Sequence, residues 1–116
     1  MKSKLLLVDD NENFIQLLKI AMEDEDYEVD TTDSGMSVLS IMENTSYDWL
    51  ISDIRMGDLD GIRLAKKVKE KYPRAKIILM TAYKVPERIE ELEVEGFLEK
   101  PVRIDDLCKI INSFSK

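Results

Sequence analysis

Four short apolar runs, each ending abruptly at polar side chains, constrain the fold of this 116-residue chain more than any other feature. Continuous apolar runs of this length are typical of parallel strands that are covered on both faces. A buried strand that ends in an acid is costly unless the acid is used. The four runs are residues 5–8 before Asp9 and Asp10, residues 49–51 before Ser52 and Asp53, residues 77–80 before Thr81, and residues 97–98 before Glu99, Lys100 and Pro101.

The segments between the runs have apolar residues at spacings of three and four, which predicts amphipathic helices. A further strand with polar alternation, at 27–32, is expected at an edge of the sheet. Alternating strands and helices predict an α/β fold: a doubly wound, five-stranded parallel sheet in the flavodoxin-like order 2-1-3-4-5, with helices on both faces. Strands are predicted at 4–8, 27–32, 47–53, 76–80 and 97–99, and helices at about 12–25, 35–44, 61–72, 86–93 and 104–114.

Individual side chains refine these elements. In the first helix, Phe14, Leu17, Leu18, Ala21 and Met22 are predicted to form the buried face. Ser34 and Asp60 precede the second and third helices, where hydroxyl and carboxylate side chains can cap free N–H groups.

Composition excludes several functions. The net charge of −7, from 24 acidic and 17 basic residues, argues against general nucleic-acid binding. The chain has no histidine, which removes the commonest general base and any Ser-His or Cys-His pair. A single cysteine rules out an intrachain disulfide and suits a reducing compartment. No apolar run is long enough for a membrane span, and we expect a cytoplasmic protein without a membrane partner.

The predicted strand order gathers the polar strand ends at one crevice. Asp9 and Asp10 follow the first strand and Asp53 ends the third, so three carboxylates converge. Mg²⁺ prefers carboxylate and carbonyl oxygens and often bridges to phosphate. Thr81 and Lys100 end the next two strands, and their hydroxyl and ammonium groups suit added anionic oxygens. This arrangement suggests phosphoryl transfer onto Asp53.

Five short motifs, in this order and spacing, resemble the receiver domain of two-component response regulators. The resemblance spans essentially the whole chain. The motifs are Leu-Leu-Val-Asp-Asp at 6–10, Ser-Asp-Ile-Arg-Met at 52–56, Leu-Asp-Gly at 59–61, Met-Thr-Ala at 80–82 and Glu-Lys-Pro at 99–101.

The resemblance implies a role for each matching residue. Asp53 would accept a phosphoryl group from a histidine kinase or a histidine phosphotransfer protein. Mg²⁺ would be ligated by Asp10, Asp53 and the backbone carbonyl of Arg55, with Asp9 acting mainly through a bound water. Lys100, before a cis proline, would pair with phosphoryl oxygens. Thr81 and Phe97 would form the switch that couples Asp53 to a docking surface for a downstream protein partner.

The chain also departs from the family pattern. Gly57 stands where the family usually has proline, and the interval from Thr81 to Lys100 is shorter by about one helical turn. The shortened part is the predicted fourth helix or the turn that follows it, and the resemblance implies that this element reports the switch. Tyr83 and Arg55 occupy positions near the path of the hydrolytic water, and we hypothesise that they slow loss of the phosphoryl group.

Two other functions stay open at this point. A receiver-like module that is never phosphorylated could act by docking alone, which the shortened segment favours and the five intact site residues oppose. A metal-dependent phosphatase is disfavoured because no second acid–base group is evident. We expect residues 1–116 to form one receiver domain without an output domain, acting as a phosphoacceptor rather than as an enzyme on other substrates.

Overall fold

The structure, a computed structural model, describes residues 2–55, 59–82 and 93–114. Residues 86–92 of the predicted helix at 86–93 lie outside these ranges, as do Gly57 and Tyr83. Up to residue 81, strands and helices alternate as the sequence predicts, and the described boundaries differ from prediction by no more than two residues. The elements are β1 (Lys4–Val8), α1 (Glu12–Asp24), β2 (Glu28–Thr32), α2 (Gly35–Asn44), β3 (Trp49–Asp53), α3 (Gly61–Lys71), β4 (Lys76–Thr81), β5 (Gly96–Glu99) and α4 (Ile104–Ser113).

The five strands form one parallel sheet in the order β2-β1-β3-β4-β5. This confirms the predicted order and the edge position of β2. The three central strands are almost entirely buried, which explains why their sequences are continuously apolar rather than alternating. No helix in the described ranges is both long and apolar enough to cross a membrane.

Each face of the sheet has its own hydrophobic core, because successive strand residues point to opposite faces. Leu6, Leu50 and Leu79 pack with α2 and α3 on one face. Leu7, Ile51 and Met80 pack with α1 and α4 on the other. The sheet therefore lies between two helical layers, and its strand ends are held rigidly from both sides.

The buried face of α1 differs from the prediction. Ile15, Leu18 and Met22 are buried, whereas Leu17, which was predicted to face inward, is 69% exposed. Spacings of three and four fit Leu17 as well as Ile15, but the helix can turn only one of these two residues towards the sheet. At 100° per residue, Leu17 lies about 130° from the centre of the buried stripe. Leu17 and Ile20 therefore face away from the core.

The helix caps were predicted with mixed success. Asp60 accepts a hydrogen bond from the Arg63 N–H and caps α3, as expected. Ser34 occupies the cap position of α2, but its side chain makes no capping hydrogen bond, so that prediction was wrong. Its own N–H instead donates to the Thr32 hydroxyl oxygen.

The junction between β3 and α3 requires a glycine at its close approach. The Gly61 N–H donates to the Ile54 carbonyl at 2.7 Å. A Cβ atom on Gly61 would lie 2.3 Å from the backbone oxygen of Asp53, and backbone cannot yield as the end of a side chain can. The same oxygen accepts a hydrogen bond from the buried Ser52 hydroxyl at 2.9 Å. The first turn of α3 is thus seated directly against the end of β3.

Gly61→Ala is expected to lower the free energy of unfolding by about 2 kcal/mol, because the added methyl group forces the backbone apart. Chemical denaturation followed by circular dichroism measures this. Lys66→Ala, at an exposed position of the same helix, is the matched control and should change stability by less than about 0.5 kcal/mol. Equal stability of Gly61→Ala and the wild-type protein would contradict the close approach.

Candidate functional site

The strand register brings the predicted site residues to one edge of the sheet. Val8 lies opposite Ser52, so Asp9 and Asp53 extend from neighbouring strands at the same level. Asp53 lies opposite Met80, the residue before Thr81. Thr81 lies opposite Glu99, the residue before Lys100. Asp9, Asp53, Thr81 and Lys100 therefore occupy adjacent positions along the carboxyl edge.

Three carboxylates converge there, as the sequence predicts. One oxygen from each of Asp9, Asp10 and Asp53 lies within 4.8 Å of the others. Asp9 is fully buried and Asp53 is 8% exposed, whereas Asp10 is exposed to solvent. The group thus has two desolvated members and one that faces water.

Lys100 supplies the positive charge at this cluster. Its Nζ atom lies 2.7 Å from Asp9 Oδ2 and 3.5 Å from Asp53 Oδ2. Its backbone N–H donates to the Thr81 carbonyl at 2.7 Å, and the bond between Lys100 and Pro101 is cis. The cis bond agrees with the expectation from the family resemblance. Lys100 is therefore bound to the end of β4 through its backbone and, through its side chain, to Asp9, the residue that follows β1.

The Asp9 carboxylate has a second partner, which orders the beginning of α1. Its Oδ1 atom accepts a hydrogen bond from the Asn11 N–H at 2.9 Å. The Asn11 side chain in turn accepts from the Phe14 N–H at 3.1 Å and caps α1. The cap of α1 and the acidic cluster thus share one network of hydrogen bonds.

Burial raises the pKa of Asp53, and the nearby charge of Asp9 raises it further. Lys100 and the backbone N–H of Arg55 oppose this shift, since both stabilise the charged carboxylate. Like charges that are buried together remain unfavourable even with one cation beside them.

The cluster has the donor chemistry that a hard divalent cation requires. Three carboxylates paired with one ammonium leave an excess of negative charge in a partly desolvated site. Oxygen ligands, one of them solvent-facing, match the preference of Mg²⁺ for carboxylates together with several retained waters. The residues present therefore fit the predicted ion.

The two predicted switch residues lie near each other on one face of the sheet. Thr81 is 2% exposed at the end of β4. Phe97 lies opposite Leu79, two residues before Thr81, and therefore shares the face of Thr81. Phe97 is partly buried and packs against the core that lies under α2 and α3.

Of the two predicted modulating residues, Arg55 follows β3 and is exposed, and Tyr83 lies outside the described residues. Sequence reasoning missed the contribution of Phe14, whose ring centroid lies 4.5 Å from Lys100 Nζ. The helical spacing assigned Phe14 only to the apolar face of α1. The signal available was its place in the first helical turn after Asp9-Asp10, which directs its side chain back towards the acids.

Comparison with known proteins gives a consistent result. Residues 5–112 match the family model described as the response regulator receiver domain. The transcriptional regulatory protein GlrR of Escherichia coli K12 is 34% identical over 111 residues, which cover 93% of this chain and 25% of that protein. Hybrid signal transduction histidine kinase L of Dictyostelium discoideum is 32% identical over 124 residues, covering 97% of this chain and 7% of the kinase. The chain spans only a minor part of these relatives.

Solved structures of similar proteins have the same fold. Chemotaxis protein CheY4 of Vibrio cholerae superposes with a TM-score of 0.89 at 28% identity, over 97% of this chain and 98% of that one. Response regulator protein TrrA of Thermotoga maritima, in complex with Mg²⁺-BeF, superposes with a TM-score of 0.88 at 32% identity, over 97% and 98% of the two chains.

Asp53→Asn is expected to stabilise the metal-free protein by about 1 kcal/mol, because it removes a charge from a desolvated site. The sign follows from the raised pKa of Asp53. Above its unfolded pKa, the carboxyl group ionises more readily in the unfolded chain, so ionisation favours unfolding. Denaturation in EDTA, with the exposed Asp24→Asn as control, measures the difference.

Added Mg²⁺ should reverse this order, because an ion that binds only the folded state stabilises the wild-type protein by mass action. Asp53→Asn lacks a ligand charge and should gain less. A metal-free Asp53→Asn protein that is less stable than the wild type would contradict the electrostatic account.

Proposed function

Because the chain belongs to the family of response regulator receiver domains, we propose that Asp53 accepts a phosphoryl group from a phosphohistidine. The donor is a histidine kinase or a histidine phosphotransfer protein. The observation that carries the proposal is the Asp53 carboxylate at the open edge of a rigid strand, with Asp9, Asp10 and Lys100 around it. A buried cluster of like charges destabilises the fold, but the same charges suit phosphoryl transfer.

In the proposed step, a carboxylate oxygen of Asp53 attacks the phosphorus atom in line with the phosphorus–nitrogen bond of the donor. That bond breaks, its electron pair returns to the imidazole nitrogen, and an acyl phosphate forms on Asp53. Lys100 is within reach to pair with the new phosphoryl oxygens, since its ammonium lies 3.5 Å from the Asp53 carboxylate. Receiver domains are phosphoacceptors in signalling rather than classical enzymes.

Asp10, Asp53 and the backbone carbonyl of Arg55 are the proposed direct ligands of Mg²⁺, with Asp9 acting through a bound water. Bound Mg²⁺ supplies charge neutralisation between the carboxylates and the phosphoryl oxygens. The hydrogen bonds of Asp9 support its indirect role. Both of its carboxylate oxygens already accept one, from the Asn11 N–H and from the Lys100 ammonium.

Thr81 and Phe97 are proposed to carry the change at Asp53 to a surface that docks a downstream protein. Thr81 would hydrogen-bond the phosphoryl group, and Phe97 would turn inward behind it. The shared face of these two residues and the hydrogen bond from the Lys100 N–H to the Thr81 carbonyl support this route.

Incubation with acetyl phosphate and Mg²⁺ is expected to add one phosphoryl group to the intact protein, as judged by mass spectrometry. EDTA should abolish the gain because the charge of the carboxylates is then uncompensated. Asp53→Asn should also abolish it, whereas Asp24→Asn should behave as the wild type. A receiver that acts by docking alone would gain no mass from acetyl phosphate or from cognate phosphohistidine, and that result would overturn the proposal.

Arg55→Ala and Tyr83→Ala are each expected to accelerate loss of the phosphoryl group about threefold or more. The family resemblance implies that both positions lie near the path of the attacking water, which a large side chain restricts. The measurement is the decay of phosphorylated protein after the donor is removed. Arg63→Ala, which removes an exposed arginine from α3, is the control. Unchanged decay in both variants would refute the modulating role.

A further inference from the structure

The aromatic ring of Phe14 lies against the Lys100 ammonium. Lys100 Nζ lies 4.5 Å from the centroid of the Phe14 ring, within the range of a cation–π interaction. The same nitrogen lies 2.7 Å from Asp9 Oδ2. The ammonium is therefore enclosed by a carboxylate and an aromatic ring, and the Lys100 side chain is only 18% exposed.

These contacts form a closed circuit that begins and ends at Asp9. The carboxylate of Asp9 accepts from the Asn11 N–H, and the Asn11 side chain accepts from the Phe14 N–H. The Phe14 ring contacts the Lys100 ammonium, which returns to Asp9. The N-terminal cap of α1 thereby fixes the backbone of Phe14 relative to Asp9. The aromatic ring of Phe14 in turn restricts the position of the Lys100 ammonium relative to Asp9.

We propose that Phe14 is a positioning residue for phosphotransfer, whose ring face holds the Lys100 ammonium between Asp9 and Asp53. The inference rests on the proposed function, since the ammonium is positioned for the phosphoryl oxygens on Asp53. The ring acts only through Lys100. It limits the positions open to a flexible four-carbon side chain and keeps the ammonium from turning to solvent.

An aromatic ring has a property here that an aliphatic side chain of similar size lacks. Its negative face attracts a cation without competing for the hydrogens that the carboxylates accept. The ammonium can therefore lie against Phe14 and still point its N–H groups at Asp9 and at the site of the transferred group. An aliphatic wall would shield the ammonium from water but would not attract it.

The test compares Phe14→Leu with Phe14→Tyr in acetyl phosphate reactions at saturating donor and Mg²⁺. Phe14→Leu keeps an apolar side chain without a π face and should lower the maximal rate about three- to tenfold. The Mg²⁺ concentration at half-maximal rate should change less than about twofold, since Phe14 touches Lys100 rather than the proposed ligands. Phe14→Tyr keeps the ring face and should remain near the wild-type rate. Leu17→Ala, on the outer side of α1, is the control for the helix.

A double-mutant cycle with Lys100→Met separates positioning from general support of the fold. If Phe14 acts through Lys100, Phe14→Leu should cause no further loss in the Lys100→Met protein. An equal loss in both backgrounds would overturn the proposal, as would equally slow Phe14→Leu and Phe14→Tyr proteins or an unchanged Phe14→Leu rate.

Nuclear magnetic resonance distinguishes failure of this inference from failure of the proposed function. Ring currents should shift the Lys100 ε-methylene protons upfield in the wild-type and Phe14→Tyr proteins, and the shift should be lost in Phe14→Leu. This readout needs no phosphoryl transfer. A wild-type protein that takes up no phosphoryl group refutes the proposed function by itself, whereas Lys100 resonances that ignore residue 14 refute the placement of the ammonium.

Discussion

Repulsion between buried carboxylates at the end of a parallel sheet is the constraint on which the rest of this structure depends. Asp9 and Asp53 are both largely removed from water, and Asp10 adds a third acid at the surface. One ammonium, that of Lys100, lies between the two buried groups. The folded chain therefore keeps these carboxylates together despite their repulsion. The raised pKa of Asp53 reflects its burial and the nearby charge of Asp9.

The two hydrophobic cores provide the rigidity that this arrangement requires. The central strands have buried side chains on both faces, so the strand ends cannot separate to relieve the repulsion. The Asp53 backbone is fixed further by the Ser52 hydroxyl and by the close approach of Gly61. Uncharged residues thus determine the distance between the charged ones. This is expected where a functional site is less stable than the rest of the fold.

Much of this was predictable because parallel strands give strong signals. Continuous apolar runs identified the buried strands, and the polar residues that follow them identified the carboxyl edge. The side of α1 that faces the sheet was harder to predict, since spacings of three and four fit Leu17 as well as Ile15. Only packing against the sheet decides between them, and it buries Ile15. The contact between Phe14 and Lys100 joins residues 86 positions apart in sequence, which no local periodicity can reveal.

The position of Lys100 links the chemistry of the site to the part of the fold that can respond. Its side chain contacts Asp9, which follows β1, and Asp53 at the end of β3, while its backbone N–H is bound to Thr81 at the end of β4. A phosphoryl group on Asp53 would offer Lys100 and Thr81 new anionic oxygens at once. Both residues adjoin β5, where Phe97 lies on the face of Thr81. Because cores are close-packed, this arrangement is consistent with the proposal that a shift at these strand ends reaches Phe97.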